Sequence, residues 1–330
     1  MSLRSALAKR RPAVKHEAMT SHSRKTLFLL AETLAVCFSL VALAFAALSL
    51  MPAAAAWAAI GLLAVAQGFW FDRMYTVAHE AVHLKLVPGR RRLNDLLGTL
   101  LLAPVLAPFT IFRKIHGFHH GANRRDRETA ALDHFRLAQG AAPGAGGGLR
   151  LLWLFYVFGG GFFLHTLAAI LIFLLVPRRL AERISPVFRG WPARQRLRAW
   201  GELGIGVALH ATVALVLGGS AWLALLGLPL LAFAWIWSML LYIYHYRTSV
   251  GPDVRNNVRS LPRQPFFSWL LLNFNEHATH HGDPTIPWYA LPQHRRALPA
   301  SHAANDDTGS ILEAIWRQRL GPILWTADRR

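Results

Sequence analysis

Eight of the sixteen histidines stand in three short boxes: His79-Glu80-Ala81-Val82-His83, His116-Gly117-Phe118-His119-His120 and His277-Ala278-Thr279-His280-His281. Spacings of three and four residues put side chains on one helix face, so each box can offer two or three imidazoles to a single point. Eight imidazoles exceed the four ligands of a tetrahedral zinc, which points to two metal ions bound mainly by nitrogen. Imidazole suits iron, zinc, copper and nickel, so the residues alone do not name the metal. His165 lies inside an apolar run and reads as a buried or interfacial histidine rather than a ligand.

The segments that must carry these boxes are apolar. The chain has 330 residues, 54% of them hydrophobic and only 16% charged, and its mean hydropathy is +0.30, a composition that belongs to membrane proteins. Thr26 to Leu50 and Ala53 to Phe71 each approach the roughly 20 residues needed to cross hydrocarbon, with only Met51-Pro52 between them. Ala199 to Leu217 and Ala221 to Tyr244 form a second such pair, joined by Gly218-Gly219-Ser220. The expected fold is therefore all-α and integral to the membrane, with two helical hairpins making four crossings and a helical cap on the cytosolic side holding the metal site. Box one follows the second crossing, box two a short proline-broken stretch, and box three a polar segment after the fourth crossing.

Two further apolar runs are expected to be re-entrant or interfacial: 96–112, broken by Pro104 and Pro108, and 151–176, interrupted by Gly159-Gly160-Gly161. A single crossing at 151–176, the alternative that its length allows, would put the seven arginines of Arg178 to Arg198 on the outer side, against the positive-inside rule. With four crossings, all 36 Lys and Arg residues fall on one face, cytoplasmic by that rule. The formal charge of +19 is thereby explained by topology, and nucleic acid is not an expected partner. Residues 1–25 read as a retained basic cytoplasmic tail, because the apolar run after them is too long for a signal-peptide core. Residues 295–330 read as a cytoplasmic tail in which Ile311, Leu312, Ile315 and Leu320 outline an amphipathic helix. Cys37 is the sole cysteine, so neither an intramolecular disulfide nor a thiolate-bound iron–sulfur cluster can form, and electrons must come from another protein.

The ordered boxes HxxxH, HxxHH and HxxHH resemble those of the membrane fatty acid desaturase superfamily. So does the run from Asn273-Phe274-Asn275-Glu276 through box three to Pro284-Thr285-Ile286-Pro287-Trp288-Tyr289 and Leu291-Pro292. The similarity spans about Phe69 to His294, and the third box with its follow-on is its most specific part. The resemblance implies a domain over 26–294, a di-iron centre, molecular oxygen as co-substrate and the introduction of a double bond into a lipid acyl chain. It also implies a substrate carried as phospholipid, acyl-CoA or acyl carrier protein. No His-Pro-Gly-Gly run of cytochrome b5 occurs, so a separate donor such as ferredoxin with its reductase is implied. The expected location is the bacterial inner (plasma) membrane, with membrane lipid around the crossings and both termini and the metal site cytoplasmic.

The implied iron ligands are His79, His83, His116, His119, His120, His277, His280 and His281. Members typically place a ninth histidine after an arginine-threonine stretch that follows the last crossing, but Arg247-Thr248-Ser249-Val250-Gly251-Pro252 has none. His245 is the substitute candidate, and packing among Tyr242, Tyr244 and Tyr246 is its structural alternative. Glu80, Asp126, Glu128, Glu276 and Asp283 are candidates to orient ligand imidazoles, and solvated or capping roles are the alternatives. Trp288, Tyr289, Phe118 and the Tyr242 to Tyr246 group are candidates to line an acyl tunnel. The basic clusters Arg90 to Arg92 and Arg124, Arg125 and Arg127 could meet phosphates, with a solvated face as the default.

Competing functions differ in what they leave unexplained. Box one also satisfies HExxH, in which Glu80 would activate a zinc-bound water of a membrane metalloprotease, but that leaves two boxes idle. Hydroxylase, carotenoid ketolase and oxidative decarboxylase outcomes share the same boxes. A lipid- or metal-binding protein without turnover would need no oxygen-reactive pair of irons.

Overall fold

The computed structural model describes residues 3–129, 131–140 and 144–326, with side chains from residue 21 onward. Apolar sequence becomes long helix wherever nothing interrupts it. Helix α1 spans Leu3–Leu50, and Pro52, which cannot continue a helix but starts one well, sits at the N-cap of α2 (Ala53–Val82). The backbone of the expected N-terminal tail is thus helical from Leu3 and continuous with the first apolar segment. At 30 residues, α2 is about 45 Å long, against a hydrocarbon core of about 30 Å. Box one stands on its last turns rather than after it.

Four helices are long and apolar enough to cross a membrane: Ser21–Leu50, Ala53–Val82, Ala193–Leu217 and Gly219–Leu241. Both further apolar runs are bent. Helix α3 (Arg91–Leu102) continues as a 3-10 turn over Ala103–Val105. It then folds back by 102° into α4 (Phe109–Ala122). The break holds Leu106 in the left-handed region and Pro108 at the α4 N-cap. After strand β1 (His134–Leu137), α5 (Gly147–Phe155) passes through π-helical turns over Tyr156–Gly160 and Phe163–Leu167 into α6 (Ala168–Leu174). These halves meet at 96°. A Cβ on Gly161 would lie 2.3 Å from the Tyr156 carbonyl oxygen, which fixes glycine at this bend. Neither run is one straight crossing.

Helix α7 (Arg178–Ile184) leads to α8 (Ala193–Leu217). Gly218, at φ 89°, makes the turn alone, and helix resumes at once as α9 (Gly219–Trp222). A π turn (Leu223–Gly227) joins α9 to α10 (Leu228–Leu241). Helices α1 and α10 both pack along α2, whereas α8 meets its successor at α9 and leans on α4, α6 and the Ala103–Val105 turn. The central core lies where α2 and α10 meet, with Phe71, Val77, Phe233 and Ile236 at most 2% exposed. Polar segments outside the long helices carry short helices α11 (Pro265–Leu270), α12 (His277–Gly282) and α13 (Ile311–Arg317).

Two expectations need correction. The fold is mostly helical but not all-α, because β2 (Ile323–Thr326) pairs in parallel with β1 in the register His134↔Ile323. Four-residue strands almost 190 residues apart leave no readable alternation, and only tertiary context forms them. The tail after 294 is tied down, since Gln318 is fully buried and its side-chain amide donates to the Met239 carbonyl. The amphipathic segment shortens to α13, capped by Ser310 through the Glu313 N–H, with Ile311 buried and Leu312 and Trp316 exposed.

Small residues set the approach of α2 to α10. A Cβ on Gly68 would lie 2.8 Å from the Phe233 backbone nitrogen, whereas Gly61 on the same helix has nothing within 4 Å. Gly68→Ala is expected to destabilise the protein by about 1–3 kcal/mol. Gly61→Ala is expected to be neutral or slightly stabilising. Thermal unfolding of both variants in detergent measures the difference, and equal melting temperatures would contradict the packing described.

Candidate metal centre

The boxes reach one pocket from four directions: α2 brings box one, α4 box two, α12 box three, and the turns after α10 bring His245. Their imidazoles sort into two groups, each with its ligand atoms within 4.8 Å of one another. The first holds His79, His83, His116, His120 and His280, and the second His119, His245, His277 and His281. Helical geometry explains the sorting. In an HxxHH box the residues at i and i+4 share a face, while the one at i+3 points about 100° away from its i+4 neighbour. Box two therefore sends His116 and His120 to the first group and His119 to the second. Box three does the reverse, with His277 and His281 in the second and His280 in the first. All nine sequence-predicted histidines are brought together, including His245.

The arrangement within each group is not that of a hydrogen-bonded cluster. His116 Nε2 lies 3.0 Å from His79 Nε2, 2.8 Å from His83 Nε2 and 3.0 Å from His120 Nε2. A single ring nitrogen can donate one hydrogen bond or accept one, so protons cannot satisfy three such contacts. His120 Nε2 also meets His280 Nε2 at 3.0 Å. In the second group His277 and His245 meet through Nε2 at 2.9 Å, and His119 and His281 at 3.2 Å. Lone pairs aimed at common points are what cations require. Nitrogen ligands at right angles around an ion about 2.1 Å away would lie about 3 Å apart. The donor set fits two metal ions held by imidazole.

Burial keeps these rings neutral. His277, His280, His281 and His245 are each at most 4% exposed. Desolvation first, and neighbouring charges next, chiefly the other imidazoles, push them well below the usual imidazole range.

A second layer of contacts fixes the segments. Arg124, just past box two, donates to Asp133 Oδ1 at 2.5 Å, to Tyr242 Oη at 2.8 Å and to the Thr248 carbonyl at 2.7 Å. Asp133 Oδ2 accepts from the Arg247 N–H at 2.7 Å. This wholly buried ion pair bolts the end of α4 to the strand of chain that carries His245. Asn257 adds donors to the Arg124 and Gly251 carbonyls at 3.1 and 2.8 Å. Non-glycine residues in the left-handed region flank the ligands: Leu84 after His83, Arg124 after His120, Arg247 after His245, and Leu272 and Asn273 before His277. Such conformations are costly and persist only where the surroundings impose them.

Of the five expected orienting carboxylates, only Glu80 stands near a ligand imidazole, and Glu276 is held by an arginine instead. Glu80 is buried, accepts from the Trp288 N–H at 3.1 Å and stands 3.9 Å from His79 Nδ1. Glu276 is buried and accepts from Arg295 at 3.0 Å. Asp126 and Asp283 instead accept from Thr129 and Thr285 in surface turns, and Glu128 pairs with exposed Arg136.

An apolar cavity of about 210 Å³ opens onto both groups, touching His79, His116, His119, His245 and His277. It lies between α2, α4, α6 and α10. Phe112, Ile115, Ile170, Trp237, Leu240 and Phe274 form much of its wall. Of the lining candidates, Tyr242 and Tyr244 line it, but Tyr246, Trp288, Tyr289 and Phe118 do not. Phe118 instead faces a basic groove with Arg91, Arg92, Arg113, Lys114, Arg194 and Arg198. Asp72 and His165 also line the cavity. Sequence reading missed Asp72, although an acidic residue two helical turns before His79 inside an apolar run is a signal in itself. Arg124 and Asp133 were also missed as a pair, because nothing in their spacing announces that they meet.

Two interleaved imidazole groups, carried largely by apolar helices, form a histidine-rich site that could hold metal ions. The family model for fatty acid desaturase matches residues 55–307, and the chain belongs to that family. No curated protein matches it closely enough to add a named relative.

Acid is expected to weaken the site. Because the folded state holds His245, His277, His280 and His281 below their unfolded value of about 6.5, the unfolded chain binds more protons as pH falls. Stability is then fully present above about pH 6.5 and is lost progressively below it. Thermal unfolding between pH 8 and pH 5 tests this, and a flat profile would contradict neutral, buried imidazoles.

Proposed function

We propose that this chain is an oxygen-dependent di-iron membrane oxidase that introduces a double bond into a lipid acyl chain. The observation that carries the reading is the opening of an apolar cavity onto two groups of converging imidazole Nε2 atoms. An unactivated methylene offers no proton that a side-chain base can remove, so the protein's own residues cannot perform the oxidation. Bound iron with molecular oxygen supplies the oxidising power, and the balance of two electrons and two protons per double bond comes from an external donor. The chain contributes the rest. His79, His83, His116, His120 and His280 hold one ion, and His119, His245, His277 and His281 the other. The walls formed by Phe112, Ile115, Trp237 and Leu240 exclude water and align the acyl chain.

The basic residues lie on the cytoplasmic side of a bacterial inner membrane in this reading, with the metal centre beside them and two helical hairpins in the bilayer. The substrate arrives as phospholipid, acyl-CoA or acyl carrier protein, and a ferredoxin with its reductase supplies electrons. The HExxH protease reading is disfavoured by the position of Glu80, whose carboxylate is engaged with the Trp288 N–H behind His79. A general base must instead reach a metal-bound water.

Expression in a host without such enzymes, followed by lipid mass spectrometry, tests the reaction. Loss of two hydrogens is expected. One added oxygen would shift the assignment to hydroxylation, and unchanged lipids under air with a competent donor would overturn both. His120→Ala and His281→Ala, one from each group, are each expected to lower bound iron from two ions per chain towards one and to abolish turnover. Glu80→Gln is expected to retain turnover, reduced by about 10–100-fold; complete loss with Glu80→Gln alone would revive the protease reading.

A further inference from the structure

Two of the polar groups in the wall of the acyl cavity, neither of them an imidazole, make no side-chain hydrogen bond to the described residues. Asp72 on α2 is 5% exposed, and no hydrogen bond to its carboxyl group is made by the described residues, although it lines the cavity. The donors around it are spent elsewhere. Arg73 turns to Glu32 and to the carbonyls of Trp269 and Leu270. Thr76 donates to the Asp72 main-chain carbonyl at 2.9 Å, and Tyr75, whose oxygen accepts from the Trp237 indole N–H, makes no hydrogen bond to the Asp72 carboxyl group. The second group is the Tyr244 hydroxyl, buried without a partner and lining the same cavity. Both groups therefore face one enclosed apolar space.

A carboxyl group inside an apolar membrane segment is costly unless something meets it. A plain methylene chain would fill the space and leave both polar groups desolvated. A hydroxyl on the chain can donate to a carboxyl oxygen and accept from a phenol, the two kinds of contact that these groups lack. Asp72 precedes His79 by seven residues on one unbroken helix, two turns lower on the same face and about 10 Å along the axis. A group held there is remote from the reacting carbons, so it sets the register of the chain and is not itself oxidised.

We propose that the substrate is an acyl chain bearing a hydroxyl group, and that Asp72 and Tyr244 bind this hydroxyl within the cavity, two helical turns from the metal-bearing end of α2. The inference rests on the reading of the cavity as an acyl site, and it narrows the substrate class within that reading.

Competition binding separates the two. Iron-loaded full-length protein in detergent is equilibrated with radiolabelled stearate, which is then displaced by unlabelled stearate or by its mid-chain monohydroxy isomers. At least one hydroxy isomer is expected to compete about tenfold better than stearate. Asp72→Leu is expected to bring that ratio to about one, and Tyr244→Phe to reduce it about threefold, both with iron content retained. Equal competition by stearate and every isomer, or a preference that survives Asp72→Leu, overturns the inference and leaves the acyl-chain reading standing. Absence of specific binding by either class overturns both. Should Asp72→Leu fail to accumulate, Asp72→Asn keeps the side-chain volume and is expected to lose about threefold of the preference, and an unchanged preference in that variant overturns the inference as well.

Discussion

Nine imidazoles aimed through Nε2 at two neighbouring points is an arrangement that a protein without cations would not assemble. Each ring gives up water, and each finds other lone pairs at about 3 Å in place of a donor. The surrounding structure can be understood as the means of holding four separate segments against that tendency to part. The Arg124–Asp133 pair and the Asn257 amide tie the end of box two to the segment that carries His245. A ligand set assembled this way is pre-organised, because the rings are oriented by neighbours that do not themselves touch the metal.

The sequence made the ligands legible and left their partition hidden. Three- and four-residue spacings announce which imidazoles share a helix face, so the eight box histidines could be chosen without coordinates. Which group each ring joins depends on how α4 and α12 face one another, and no local pattern records that. His245 could be named only as a substitute, because its place was set by the turns beyond α10 rather than by any spacing to box three. The four long helices were legible from length and hydropathy, and the bends were announced by Pro104, Pro108 and the glycine triplet.

What stayed illegible was long-range and polar. Strands β1 and β2 are too short to show alternation, and Arg124 and Asp133 look like any loop charges until burial makes them a bolt. The apolar cavity was invisible for a different reason. It is a space enclosed by four separate segments, and an unfilled volume has no sequence signature. Trp288 and Tyr289 lie outside its lining, while aromatic and aliphatic residues of α4 and α10 form much of the wall.

Helix α2 runs unbroken from Ala53 to Val82. A rod without a kink transmits position as well as load: any tilt or vertical shift that the lipid imposes on its lower turns is passed undiminished to His79. The depth of the imidazole groups is therefore tied to the thickness of the surrounding bilayer, so a membrane that thins or thickens with temperature would carry them up or down with it.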